Sequence, residues 1–239
     1  MESRNLFVSD VDNTLLGDDD ATRRFATWVA QRRERLRVAY NSGRFVESVL
    51  ESVEQTDLPL PDAVIGGVGT QIFFPATESF LSGWPPDDAW DAEAIRGCLA
   101  ECSDLEPQPE HLQSPYKVSY YGYELSESRL EAISDSLLQK GLNARVVYSS
   151  LRDLDILPQG TGKGAATARL AEFWKYANHE TIVAGDSGND LAMFQHGFRG
   201  IVVGNAHTEL KSLDKVNNFH AAASYGDGVV EGLTHWLEA

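Results

Sequence analysis

The residues able to do chemistry stand in four short stretches. Asp10-Val11-Asp12-Asn13-Thr14 follows the apolar run Leu6-Phe7-Val8, and Asn41-Ser42-Gly43-Arg44 follows Leu36 to Tyr40. Lys163 opens a helical pattern, and Asp186-Ser187-Gly188-Asn189-Asp190 follows Thr181 to Gly185. Apart from the lysine, each stretch begins where a short buried strand ends, and ligands bind outside the carboxyl ends of parallel strands. Such strands deliver those ends to one edge of the sheet, so Asp10, Asp12, Asp186 and Asp190 converge. Four carboxylates in one cleft repel one another unless protons or a cation join them. An all-oxygen donor set suits Mg2+, which binds through one or two carboxylates together with substrate phosphate and water. Ser42, the Gly43 amide and Lys163 add donors and positive charge fit for a phosphate.

Each stretch taken alone has a plainer reading. Asp-Asn-Thr, Ser-Gly-Arg and Gly-Asp-Ser-Gly-Asn-Asp are all ordinary turn compositions. Lys163 as a merely exposed first-turn lysine is electrostatically a poor choice, because a helix N-terminus disfavours cations unless an anion meets them. A competing motif is Gly160-Thr161-Gly162-Lys163-Gly164-Ala165, which fits the relaxed dinucleotide fingerprint and has Asp186 about 20 residues on. Pro158 spoils the strand-to-glycine turn that this fingerprint requires, and Asp10, Asp12 and Ser42 to Arg44 would be left without a role. The same stretch fails the Walker pattern, since Leu157 stands where its first Gly belongs.

The elements that must position these residues follow from periodicity. Leu6 to Val8, Leu36 to Tyr40 and Ala63 to Ile65 read as buried strands, with helices over about 20–34 and from Val46 to Val53 between them. Strand–helix–strand–helix–strand implies an α/β fold, a doubly wound parallel sheet of the Rossmann-like kind. Ser82-Gly83-Trp84-Pro85-Pro86 breaks the pattern and reads as a linker. Beyond it a helix over 87–102, a strand Lys117 to Tyr121, a helix over 126–140 ending at Gly141, and strands Arg145 to Tyr148 and Leu154 to Leu157 form a second α/β unit. We therefore divide the chain into a core of 1–81 and 159–239 and an inserted α/β cap of 82–158. Helices over 163–176 and 228–238 and strands Thr181 to Gly185 and Gly200 to Val203 complete the core.

Composition narrows the function classes. With 20 basic and 36 acidic residues, the formal charge is −16. That argues against nucleic acid as a partner, which demands basic patches to displace counterions. The same charge repels anionic substrates at long range, so a phosphate must be drawn in by local cations and a metal. No run reaches a membrane span and no signal peptide pattern stands at the N-terminus, so a cytoplasmic protein is expected. Cys98 and Cys102, the only cysteines, make neither a disulfide framework nor a zinc site.

In order and spacing, Asp10-Val11-Asp12-Asn13-Thr14, Ser42-Gly43-Arg44, Lys163 and Gly185-Asp186-Ser187-Gly188-Asn189-Asp190 resemble the four motifs of the haloacid dehalogenase superfamily of phosphatases. The insertion between the second and third motifs resembles members with a large α/β cap. Within these, Tyr116 to Tyr120, Asp153 to Pro158, Gly204-Asn205-Ala206 and Gly228 to Gly232 are similar to the sucrose-6-phosphate phosphatases. The sequence departs from them at Ser42, where many relatives carry Thr, and at Leu15-Leu16, where close relatives often carry an aromatic.

The resemblance implies a Mg2+-dependent phosphatase acting through an aspartyl-phosphate on sucrose 6-phosphate. Asp10 would be the nucleophile and Asp12 the acid and base. The metal would be held by Asp10, Asp186 and the Asp12 backbone carbonyl, with Asp190 and Asn189 positioning its waters and Lys163. Ser42, Gly43 and Lys163 would hold the phosphoryl group, and Arg44 would bond the core near the cleft. The cap would recognise the sugar and exclude water, and the candidate sugar contacts are Lys117, Tyr120, Asp153 and Asn205. A small-molecule sugar phosphate is the expected partner, with a sucrose-phosphate synthase as a further one, and the chain is expected to be a monomer. Two alternatives stay open: a phosphatase for mannosyl- or glucosyl-phosphoglycerate or another osmolyte phosphate, and a silent sugar-phosphate-binding subunit.

Overall fold

The computed structural model describes residues 5–86 and 90–238. The chain forms two compact units, Met1–Leu81 with Lys163–Ala239 and Ser82–Gly162. In the first unit, β1 (Asn5–Ser9), α1 (Asp19–Ala30), β2 (Leu36–Asn41), α2 (Val46–Gln55), β3 (Ala63–Gly66), β4 (Gln71–Phe74) and β5 (Ser79–Phe80) come before the insertion. The second unit contains α3 (Ala92–Leu99), β6 (Glu106–Pro107), β7 (Val118–Tyr121), α4 (Glu127–Gln139), β8 (Ala144–Ser149) and β9 (Asp153–Pro158). The first unit then resumes with α5 (Lys163–Trp174), β10 (Thr181–Gly185), α6 (Leu191–Phe194), β11 (Arg199–Val202), α7 (Thr208–Lys211), β12 (Asn218–His220) and α8 (Tyr225–Glu238).

The first unit is built on an eight-stranded sheet in the order β12-β11-β10-β1-β2-β3-β4-β5. All pairs from β12 to β3 are parallel, and β4 and β5 add an antiparallel edge. β1 lies in the middle, and Leu6, Phe7 and Val8 are fully buried, which is why they read as an unbroken apolar run. β1 neighbours β10 on one side and β2 on the other, so the chain leaves Ser9 beside Ala184 and Tyr40. The strand ends that carry Asp10, Asp186 and Ser42 are thereby side by side. The expected doubly wound sheet is what the chain forms.

Caps fix where helices start. Asp18 Oδ1 accepts the Ala21 amide at 2.8 Å to open α1, and Ser126 Oγ accepts the Arg129 amide at 3.3 Å to open α4. α4 ends at Gly141, whose φ of 75° is the left-handed stop expected of glycine there. The final helix begins at Tyr225, three residues earlier than its apolar pattern suggests. Gly226, a poor helix former, is inside it because α8 packs on α1 so closely that a Cβ there would lie 2.7 Å from the Ala21 carbonyl, and a Cβ on Gly228 would meet the Ala223 carbonyl.

In the second unit a four-stranded antiparallel sheet, β6-β7-β9-β8, is packed by α3 and α4. Ile95, Leu99, Val118, Tyr120, Ile133, Leu137, Leu154 and Ile156 form its core. Two boundaries differ from expectation. The helix placed over 87–102 runs only from Ala92 to Leu99, opened by the Asp91 carboxylate accepting the Ala94 amide at 2.9 Å; residues 87–89 lie outside the described ones. Residues 159–162 belong to the second unit rather than the first. After β9 the chain turns back on itself, with both the amide and hydroxyl of Thr161 donating to the Pro158 carbonyl at 3.2 and 2.7 Å.

Candidate active site

At the end of β1 the Asp10 amide donates to the Ala184 carbonyl at 3.0 Å, continuing the β1–β10 ladder by one residue. The Asp10 carboxylate is thereby held over the sheet edge, 5% exposed. Thr14, one turn on, donates its hydroxyl to Asp10 Oδ2 at 3.0 Å and lies 3.3 Å from Asp186 Oδ1, so a single hydroxyl spans both carboxylates. Opposite them stands Lys163, the first residue of α5. Its Nζ donates to Asp10 Oδ1 at 2.6 Å, to Asp190 Oδ1 at 2.5 Å and to Asn189 Oδ1 at 3.3 Å. Asp190 Oδ2 accepts the amides of Asp186 and Ser187 at 3.1 and 3.3 Å, tying the acidic loop into one piece. Gly185 permits this closure, because a Cβ there would lie 2.6 Å from the Asp190 Cβ.

Lys163 is anchored from below by Asn41, whose side-chain amide donates to the Lys163 carbonyl at 2.9 Å and the Thr167 hydroxyl at 3.0 Å. Asn41 and Thr14 lie within the motif stretches, and their structural role in the site emerges only from the fold. Their signal was position: each is a polar residue beside an apolar strand end, fully buried in the structure.

The electrostatics follow from crowding. Three carboxylates, Asp10, Asp186 and Asp190, offer oxygens all within 4.8 Å of one another and are buried. One lysine faces them, so the cluster keeps a surplus of negative charge. Burial, then the nearby Asp10 charge, raises Asp186 from 3.8 to about 6. Burial also raises Asp190, with Asp10 adding to it and Lys163 opposing. Burial alone would lower the Lys163 ammonium, but Asp10 and Asp190 outweigh it and hold the lysine charged. A site with this surplus of buried negative oxygen fits a divalent cation with a preference for hard oxygen ligands.

Asp12 is placed differently from its partners. Its side chain is 50% exposed and pairs with Arg44, the Nε standing 2.9 Å from Asp12 Oδ2. Burial still raises its carboxyl above the usual range, against the pull of Arg44. The Asp12 side chain is thus not one of the three clustered carboxylates. The Arg44 guanidinium bonds α2 through the Ser52 hydroxyl at 2.9 Å and also reaches the Asp12 carboxylate beside the cleft. Ser42 is buried and its hydroxyl accepts the Arg44 amide at 3.1 Å, while Gly43 is exposed at the tip of the turn. The turn is braced by Val68, whose amide donates to the Ser42 carbonyl at 3.3 Å.

The four candidate sugar contacts fare unequally. Lys117 is buried and donates to Asp155 Oδ1 at 2.9 Å, to the Ser119 hydroxyl at 2.5 Å and to the Leu112 carbonyl at 3.0 Å. Asp153 accepts from Gln108 at 3.0 Å and pairs with Arg152 at 3.0 Å. Tyr120 is corrected: it is 4% exposed within the apolar core of the second unit, because alternation along β7 turns it away from the polar face that carries Ser119. Asn205 also has structural work, its amide donating to the Asn13 carbonyl at 2.7 Å and its carbonyl accepting the Tyr225 amide at 2.9 Å, which ties the first acidic loop to the start of α8.

The family model for sucrose-6F-phosphate phosphohydrolase matches residues 3–237. A mannosylfructose-phosphate phosphatase of Agrobacterium fabrum is 38% identical over 99% of this chain and 98% of its own length. Sucrose-phosphatase 1 of Nicotiana tabacum is 31% identical over 98% of this chain, which spans only 59% of that protein. Among solved structures, the sucrose-phosphatase of Synechocystis in complex with sucrose and phosphate superposes with a TM-score of 0.90, at 29% identity and 98% coverage of both chains.

Proposed function

The chain belongs to the sucrose-6F-phosphate phosphohydrolase family of haloacid-dehalogenase-type sugar phosphatases, and from this premise we propose that it removes the phosphate of sucrose 6-phosphate with the help of Mg2+. The observation that carries the reading is the meeting of Lys163 with Asp10 and Asp190 while Asp186 stands within reach of the same point. A retired binding site gains nothing from three buried, mutually repelling acids, which argues against a silent subunit.

Asp10 is the proposed nucleophile. Its carboxylate attacks phosphorus while the bond from phosphorus to the sugar oxygen breaks, leaving an aspartyl phosphate. Lys163 and Thr14 fix the two oxygens of Asp10 before the reaction, so little reorientation remains at the moment of attack. Asp12 gives its proton to the departing sugar oxygen, and its raised carboxyl suits it to carry that proton. It then takes a proton from the water that attacks phosphorus, which frees Asp10 and phosphate. The Lys163 ammonium faces the negative charge that spreads over the equatorial oxygens, and Ser42 and the Gly43 amide are the proposed further donors. Mg2+, held by Asp10, Asp186 and the Asp12 carbonyl, with Asp190 and Asn189 behind it, would neutralise the buried acids and the phosphoryl charge. Lys117 and Asp153 are retained as proposed sugar-hydroxyl partners.

A second substrate has an observation in its favour. The 38% identity to a mannosylfructose-phosphate phosphatase runs over nearly the full length of both chains, so mannosylfructose phosphate is the alternative. The test is phosphate release from a panel of sucrose 6-phosphate, mannosylfructose phosphate, glucose 6-phosphate and the mannosyl- and glucosyl-phosphoglycerates, with and without Mg2+. We expect the highest kcat/KM with sucrose 6-phosphate. A preference of ten-fold or more for mannosylfructose phosphate would move the assignment to that sugar.

A further inference from the structure

The phosphatase reading assigns Asp12 the proton work but does not say what aims its carboxylate. Asp10 is gripped by Lys163 and Thr14, and Asp190 by Lys163 and two backbone amides. Asp12, half exposed, has Arg44 instead, at 2.9 Å from its Oδ2. The guanidinium is held in turn from α2. Its Nη1 donates to the Ser52 hydroxyl at 2.9 Å and lies 3.4 and 3.5 Å from the carbonyl and hydroxyl of Ser48. Ser48 and Ser52 stand four apart on α2 and so share one face of the helix. The Ser52 hydroxyl is aimed by donating to the Ser48 carbonyl at 3.4 Å. Nε and Nη2 of Arg44, which share one edge of the guanidinium, are both buried and neither makes an aligned hydrogen bond, so this edge meets Asp12 as an ion pair and keeps its donors for the carboxylate's two oxygens.

We infer that Ser52 and Ser48 of α2, acting through Arg44, position the Asp12 carboxylate for proton transfer to the leaving group. Arg44 and Ser52 are positioning residues: neither attacks nor protonates, and the reacting bonds are those already given to Asp10 and Asp12. This rests on the phosphatase reading and adds a consequence of its own. A sugar alkoxide leaves poorly without a proton, whereas p-nitrophenolate leaves readily as the anion. Loss of aim at Asp12 therefore costs more on a sugar phosphate than on p-nitrophenyl phosphate, while a general structural defect lowers both equally.

The experiment measures kcat and KM for the wild type, Arg44→Gln, Arg44→Lys and Ser52→Ala on the best sugar phosphate of the panel and on p-nitrophenyl phosphate, with thermal melts alongside. For Arg44→Gln, kcat on the sugar phosphate should fall about ten-fold or more beyond its fall on the aryl phosphate. Ser52→Ala, which keeps the guanidinium but removes its seat, should shift the same ratio in the same direction by roughly three-fold. Arg44→Lys should not restore it, because a single ammonium cannot reach Ser52 and Asp12 together. A ratio that stays flat in Arg44→Gln and Ser52→Ala overturns the inference. Should Arg44→Gln fail to fold, the ratio in Ser52→Ala decides alone. A wild type that releases phosphate from neither substrate overturns the phosphatase reading, and the inference with it.

Discussion

Lys163 Nζ donates to Asp10 Oδ1 at 2.6 Å across 153 residues of sequence, and both side chains are almost wholly buried. The contact joins the first strand of the chain to the helix that follows the inserted unit. It cannot form until the parallel sheet has placed β1 under the start of α5, so the site and the fold of the first unit stand or fall together.

Replacing Asp10 by Asn keeps the side chain's shape and removes its charge. Turnover should drop by at least about 10⁴-fold, as expected when the group that forms the covalent intermediate is lost. The far-UV spectrum and melting temperature should change little, because Asp190 still pairs with Lys163. Phosphate release from the best sugar phosphate is the measurement, and activity retained within ten-fold of wild type would refute the nucleophile assignment.

Lys163→Met removes the cation that pairs with both Asp10 and Asp190. Leaving a buried charge unpaired costs about 3–5 kcal/mol, so a clear fall in melting temperature at pH 8 is expected together with loss of activity. Excess Mg2+ should recover part of the melting temperature and none of the activity. Thermal unfolding with and without the ion checks both halves.

Proton competition should set the pH dependence of the proposed metal binding. Asp186 is held at about 6 in the folded protein, above its ordinary value of 3.8. A raised carboxyl means that the folded state binds more protons than the unfolded state between about pH 4 and 6. In the metal-free protein this contribution therefore turns against folding as the pH rises through that window. The proposed Mg2+ would bind only the deprotonated form, so the melting temperature gained on adding it should be larger at pH 8 than at pH 5. Scanning calorimetry at the two pH values reads the difference, and an equal gain at both would show that Asp186 is not a ligand. Chelation by EDTA should stop turnover at pH 8, and added Mg2+ should restore it.

Gly185→Ala tests the closeness of the acidic loop. The new methyl would lie 2.6 Å from the Asp190 Cβ and 2.7 Å from its Oδ2. Overpacking of this kind costs about 1–3 kcal/mol, and here it also pushes Asp190 off Lys163. We expect a lower melting temperature and a drop in kcat of roughly 10² or more; wild-type kcat in a folded variant would show that Asp190 has freedom the structure does not give it.

The four motif stretches, a parallel core sheet and the break into a second α/β unit were legible in sequence, because each rests on local pattern, whereas the strand order and the antiparallel edge of β4 and β5 were not. Apolar runs of three to five residues followed by polar turns mark buried strands and their functional ends whatever surrounds them. The early start of α8 was hidden because glycine is a weak helix former until a neighbouring helix demands close approach, as Ala21 does of Gly226. Tyr120 was misjudged because strand alternation shows that two faces exist but not which of them helices will cover.

The sequence by itself determined which residue types follow which strands, and hence that several acids and a lysine would meet at one edge. Only the tertiary structure decided their pairing: Asp10 and Asp190 share Lys163, Asp10 and Asp186 share the Thr14 hydroxyl, and Asp12 is drawn aside to Arg44, which the serines of α2 hold. The reason is physical. Which oxygen meets which donor depends on distances of tenths of an ångström between segments remote in the chain. Those distances are set by the packing of β1, β2, β10, α2 and α5 together, and no local pattern encodes them.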